Sequence, residues 1–118
     1  MRKSFLFTLS LLVCNISVAG EPFSKLVGDV KVGQVPDESP YEVGFLTWGG
    51  DVAGFVANGG SLTTKKGSVY DKLGVEFTFK NGDNFPAQVK RYLEGKTPFI
   101  RGEMGMLAQA SQVLNASP

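Results

Sequence analysis

The stretch YEVGFLTWGGDVAGFVAN, residues 41–58, decides the fold of this chain. Its residues 43–48 form an apolar run of strand length that is rich in aromatic and β-branched side chains. The glycine pair 49–50 breaks the run, and Asp51 stands where a helix N-cap is expected. Apolar residues then recur at helical spacing from Val52 onward. The stretch therefore predicts a strand, a glycine turn and a helix, which is half of a βαβ unit.

The alternation of strand and helix continues along the chain. Residues 75–80 alternate apolar and polar side chains and predict a second strand, followed by a turn at 81–84. Phe85, Val89, Tyr92 and Leu93 recur at helical spacing and predict a helix with an apolar face at 85–94. Pro86 is tolerated in the first turn of this helix. Residues 97–100 predict a third short strand, and a last helix follows. This order favours an α/β fold with an open, mostly parallel sheet of three to four strands and flanking helices.

Shorter features lie between and before these elements. Residues 58–61 are typical of a helix stop, and residues 68–73 predict a short helical turn that Ser68 caps and Gly74 ends. Residues 20–40 show little periodicity and are interpreted as an arm or linker. Two alternatives stay open for that arm, a short edge strand at 26–32 and a solvated extension.

The first nineteen residues have the three parts of a secretory signal peptide. Basic Arg2 and Lys3 precede an apolar run at 5–13, and Ser17 and Ala19 supply small residues at the −3 and −1 positions of a cleavage site. The apolar run is too short to span a bilayer. This pattern predicts export to the periplasm or the cell exterior, with a partial α/β lobe at 41–118 following the arm.

A lipid anchor is the alternative to ordinary cleavage. The sequence Leu11-Leu12-Val13-Cys14 resembles the processing motif of bacterial lipoproteins, in which the cysteine is acylated and becomes the new N-terminus. Val13 is bulkier than that motif prefers at its position. The sequence therefore favours simple secretion, with anchoring at Cys14 as the minority alternative.

Composition argues against most kinds of chemistry. The chain has no histidine and a single cysteine, Cys14, so cleavage removes its one thiol. Loss of Arg2 and Lys3 takes the basic count from 12 to 10 against 11 acidic residues, a net charge of about −1. No basic block points to nucleic acid. The sequence thus predicts a protein that is not an enzyme and that has no cofactor, no metal site and no nucleic-acid partner.

Candidate binding residues follow the three predicted strands. In open α/β sheets a ligand lies beyond the carboxyl ends of the strands, which here correspond to residues 47–51, 81–84 and 101–104. Each candidate also has a plainer interpretation. Trp48 can pack as a core or edge aromatic, and Asp51 can serve only as a cap. Arg101 can pair with Glu103 or Asp83. Asp83 can also act only as a turn and cap residue. The candidate ligand-binding residues are Thr47, Trp48, Gly49, Gly50, Asp51, Asp83, Arg101 and Gly102.

Three stretches of the chain carry a family resemblance. They are FLTWGGDVAGFVANGG at 45–60, LGVEFTFKNGDNFPAQVKRYLEGKTPFIRG at 73–102 and EMGMLAQASQVL at 103–114. Over them the chain resembles type II periplasmic solute-binding proteins, the group that serves nitrate-, taurine-, phosphonate- and thiamine-precursor-type ABC importers. The resemblance implies capture of a small anionic or polar solute and its delivery to an inner-membrane ABC permease. By position, Thr47, Trp48, Gly49, Gly50, Asp83 and Arg101 match the ligand-facing turns of that family.

Length separates this chain from the family. Solute-binding proteins close two lobes on the ligand, whereas 118 residues correspond to part of the first lobe. The chain is therefore expected to be a fragment of such a protein. The alternative function is a secreted, non-catalytic interaction or structural module with no ligand of its own, which associates with itself or a partner through an exposed sheet edge.

Overall fold

Two parallel strands and five helices form the part of the chain that the computed structural model describes, residues 20–35, 37 and 39–115. The mixed α/β class predicted from the alternation is confirmed. The predicted signal peptide and Cys14 lie outside the described residues. The elements are α1 (Phe23–Val27), β1 (Tyr41–Phe45), a 3₁₀ turn (Gly49–Asp51), α2 (Val52–Ala57), α3 (Val69–Lys72), β2 (Phe77–Asn81), α4 (Phe85–Leu93) and α5 (Met104–Asn115).

The sheet sets the positions of the candidate binding segments. β1 and β2 pair in parallel, with a register that runs from Tyr41 opposite Phe77 to Phe45 opposite Asn81. Both strands therefore end at the same edge, and the segments that follow them meet there. The pairing confirms the parallel arrangement that the alternating element order predicts.

The other edge of β2 is covered by a loop. The amide of Phe79 donates to the Leu62 carbonyl at 2.6 Å, and the amide of Thr64 donates to the Phe77 carbonyl at 3.1 Å. Thr63 lies opposite Thr78 as an isolated antiparallel bridge. Backbone groups that a further strand would have satisfied are thus satisfied by residues 62–64.

The predicted third strand at 97–100 is wrong, and the sheet of the described residues has two strands instead of three to four. Thr97 is buried, and its hydroxyl donates to the Glu42 carbonyl of β1 at 2.7 Å. The amide of Phe99 turns back to that hydroxyl at 3.2 Å. Pro98 has no N–H to give to a ladder. A side chain therefore contacts the β1 edge where a strand backbone was expected.

The main core lies on α4. Val89 is fully buried, and Phe85 and Leu93 are 5 % exposed, so the apolar face predicted for this helix is confirmed. The helix begins after Asn84, whose side chain accepts a hydrogen bond from the Ala87 amide at 3.1 Å. α1 and α5 pack on the same face, with Val27 and Ala110 completing the buried cluster.

The edge strand expected at 26–32 is also wrong. The segment Phe23–Val27 forms the helix α1 instead. Phe23 and Val27 are four residues apart, and the helix directs both side chains to the core. The ring of Phe23 lies 5.8 Å from that of Phe85. Farther along, the Gly33 amide donates to the Leu93 carbonyl at 2.9 Å. Packing on α4 and α5 thus stabilises α1, whose five residues are too few to show a helical pattern in the sequence.

α2 and α3 cover one face of the sheet through aromatic rings. The ring of Phe55 in α2 lies 4.7 Å from that of Phe79, and Tyr70 in α3 lies 4.8 Å from Phe77. Val52 and Val56, which helical spacing predicts on the same face as Phe55, are instead 56 % and 72 % exposed. The short α3 confirms the predicted turn, since the Ser68 hydroxyl accepts from the Asp71 amide.

Candidate functional site

The first two candidate segments are fastened together by Asp83. One carboxylate oxygen accepts the Thr47 amide at 2.7 Å, and the other accepts the Thr47 hydroxyl at 2.5 Å. The side-chain amide of Asn81 adds a third hydrogen bond at 2.9 Å. Asp83 follows β2 and Thr47 follows β1, so the parallel pairing brings them within reach. Asn84, and not Asp83, caps α4.

These hydrogen bonds set the protonation of Asp83. The Thr47 hydroxyl, the Asn81 amide and the Thr47 backbone hold the pKa of the Asp83 carboxyl below its ordinary value of 3.8. Because the pKa is lowered in the folded state, the stability contribution is fully present above the unfolded-state pKa. It is lost as the pH falls through the lower, folded-state pKa.

A carbon-detected NMR titration of the Asp83 carboxyl is expected to give a midpoint below 3.8. Replacing Thr47 by valine keeps the shape of the side chain but removes its hydroxyl donor, so the midpoint should rise. Thr63→Val is the matched control, since Thr63 lies on the outer side of β2. A midpoint at or above 3.8, or one that Thr47→Val leaves unchanged, would contradict the hydrogen-bonding account.

The third segment joins the site through an ion pair between Arg101 and Asp51. The other Asp51 carboxylate oxygen accepts the Leu46 amide at 2.8 Å. Asp51 precedes α2 but makes no side-chain cap hydrogen bond, so the expected cap role is wrong. Its carboxylate instead faces Arg101 and the end of β1. The alternative partners considered for Arg101, Glu103 and Asp83, are likewise replaced by Asp51.

Gln88 of α4 links the second and third segments through hydrogen bonds. Its side chain is 5 % exposed, and its amide nitrogen donates to the Gly82 carbonyl at 3.1 Å. Its oxygen accepts the Arg101 amide at 2.5 Å. Sequence reasoning missed this residue. A glutamine three residues after Phe85, beside Val89, is a polar side chain at a core position and was the signal that could have identified it.

A cleft of about 510 Å³ opens where the three segments meet. Among the residues named from the sequence, Thr47, Trp48, Asp83, Arg101 and Gly102 line it. Trp48 is 63 % exposed, so its packing as a core aromatic is excluded. Three further lining residues were not predicted as ligand contacts: Leu46, Glu103 and Met106.

Gly49 and Gly50 are not among the cleft-lining residues. Gly50 lines a separate cavity of about 250 Å³, together with Asp51 and Phe79. A Cβ atom added at Gly50 would overlap the Trp48 indole, so this glycine admits the ring. Neither glycine therefore lines the cleft as the family resemblance implies, and Gly50 acts by positioning Trp48.

Comparison with protein-family models, with curated proteins and with solved structures gave no match for this chain. The resemblance to type II solute-binding proteins therefore stays a prediction. Among the described residues, every helix falls short of the length and apolar character that crossing a membrane requires.

Proposed function

We propose that this chain captures a small polar solute in the cleft at the carboxyl ends of β1 and β2. The observation that carries the proposal is the 510 Å³ cleft, which three separate segments build around an open tryptophan face. An indole that is 63 % exposed leaves a large apolar surface in water. Covering that surface with a solute is favourable, and the polar groups beside it can fix the orientation of the solute.

The solute is small, and its binding is separate from catalysis. The volume of the cleft falls within the range of pockets that hold small molecules. The chain has no histidine, and its one cysteine lies in the predicted signal peptide. We propose that the chain acts in the periplasm as part of the first lobe of a type II solute-binding protein and delivers its solute to an ABC permease.

Saturable thermal stabilisation tests this function. The chain is heated with nitrate, taurine, methylphosphonate, choline and free amino acids, each over a wide concentration range. A solute that binds the folded cleft at 100 times its Kd raises the free energy of unfolding by about 2.7 kcal/mol. Trp48→Ala should abolish the rise, because it removes the exposed aromatic surface that the solute would cover.

Phe99→Ala is the matched control for that variant. Phe99 is also an exposed aromatic residue, at 50 %, but it lines a different and smaller pocket. Its removal should leave the solute-dependent rise unchanged. The proposal is wrong if no member of the panel stabilises the chain, or if Trp48→Ala retains the full effect.

One observation favours the second candidate, an interaction module that associates through its sheet edge. Within the described residues β1 has a strand partner only on its β2 side, and Val52 and Val56 leave the outer surface of α2 apolar. Sedimentation across a range of concentrations separates the two candidates. A dimer that forms equally well with Trp48→Ala and ignores every solute supports the interaction module.

A further inference from the structure

We infer that the solute of this cleft carries a positively charged nitrogen, such as an amine or a quaternary ammonium group. This solute class rests on the proposed function, because it describes the ligand of the same cleft. It differs from the anionic solute that is one expectation of the family resemblance. The hydrogen bonds and charges around the cleft carry the inference.

The hydrogen-bond donors at the end of β1 are already in use. The Leu46 amide donates to Asp51, and both the amide and the hydroxyl of Thr47 donate to Asp83. An anion needs donors of this kind for tight binding. Here the carboxylates of Asp51 and Asp83 accept the hydrogen bonds that a bound anion would otherwise accept.

Arg101 is neutralised in the same way. Its guanidinium pairs with Asp51, whose side chain is only 12 % exposed. Arg101 is the one cation among the residues that line the cleft. An incoming anion would therefore compete with a carboxylate that the protein holds in place, and binding it would leave Asp51 poorly compensated.

The remaining charges around the cleft are negative. Asp83 and Glu103 line it, and with Asp51 they set three carboxylates against the single guanidinium. Glu103 is exposed, and no side-chain partner is found for its carboxylate among the described residues. This excess of negative charge attracts a cation and repels an anion.

Trp48 and Met106 favour an organic cation over a metal ion. The exposed indole face offers the π surface that binds ammonium groups, and Met106 adds a soft apolar wall. Asp83 already accepts three protein donors. The described residues contain no group of three or more acidic, histidine or cysteine side chains that could hold a metal.

Trp48 is the only tryptophan of the chain, so its fluorescence reports on the cleft alone. The full chain is titrated with choline, with its neutral isostere 3,3-dimethyl-1-butanol and with methylphosphonate. Choline should give a saturable change and bind at least about tenfold more tightly than the neutral alcohol. Methylphosphonate should give no saturable change.

Glu103→Gln should weaken choline binding by about threefold, as expected for an exposed charge. Glu76→Gln, which removes an exposed carboxylate outside the cleft, should leave it unchanged. Saturable binding of methylphosphonate with no response to choline overturns the inference and leaves the proposed function standing. Equal affinity for choline and the neutral alcohol also overturns it. No response to these probes or to the wider panel overturns both.

Discussion

Replacing Asn58 by alanine is expected to lower the free energy of unfolding by about 3 kcal/mol, since buried polar groups lose their partners. Asn58 is fully buried, and its amide nitrogen donates to the carbonyls of Ser61 and Thr63 at 2.7 and 2.8 Å. Its oxygen accepts the Lys65 amide at 3.1 Å. One side chain thus shapes the loop that covers the outer edge of β2.

Urea unfolding monitored by circular dichroism measures the effect. Asn115→Ala is the matched control, because it removes an exposed asparagine at the end of α5 and should change the free energy by less than about 0.5 kcal/mol. A loss below about 1 kcal/mol for Asn58→Ala would mean that water or a shifted loop satisfies the same groups.

Gly95→Ala is expected to destabilise the chain by about 3 kcal/mol, from backbone strain and overpacking together. Gly95 follows α4 with a φ of 71°, a conformation that glycine adopts readily and alanine does not. A Cβ atom there would lie 2.5 Å from the Gln34 carbonyl oxygen. The clash is with backbone, so a side-chain rotation cannot relieve it.

Two other glycines separate the two causes. Gly74 has a φ of 69° but open space around an added Cβ, so Gly74→Ala should cost only about 1 kcal/mol of strain. Gly105 lies in α5 with neither a positive φ nor a close neighbour, and Gly105→Ala should stabilise by up to about 1 kcal/mol. Equal effects at Gly95 and Gly74 would show that the approach of residues 33–34 to α4 is wrong.

The elements that could be predicted from the sequence are those whose pattern is local. The alternation in 75–80 predicted β2, and the apolar face of 85–94 predicted α4. The missed elements depend on distant contacts. α1 is a helix because Phe23 and Val27 pack on α4 and α5. Residues 97–100 are not a strand because the Thr97 hydroxyl donates to a carbonyl of β1 in place of a backbone amide.

The candidate site divides in the same way. That the first two segments meet follows from parallel pairing, which the order of elements predicts. The third segment does not follow a strand, and it joins them through Arg101. The sequence does not predict which side chains face the cleft, because each candidate has several possible partners of similar interaction energy. Asp51 could have capped α2 but pairs with Arg101, and Gly50 lies against the Trp48 ring instead of lining the cleft. Gln88 acts from α4, an element outside the three segments.

The central claim, that this cleft binds a small solute, is tested most directly by amide chemical shifts. Two-dimensional ¹⁵N NMR spectra of the labelled chain are recorded with and without the pooled small-molecule panel. The predicted result is a set of saturable shifts confined to the cleft, including the Trp48 indole N–H and the amides of residues 46–48, 83 and 101–106. Shifts confined to Val52, Val56 and the edge of β1 that is not paired with β2, or no shifts at all, would contradict the claim.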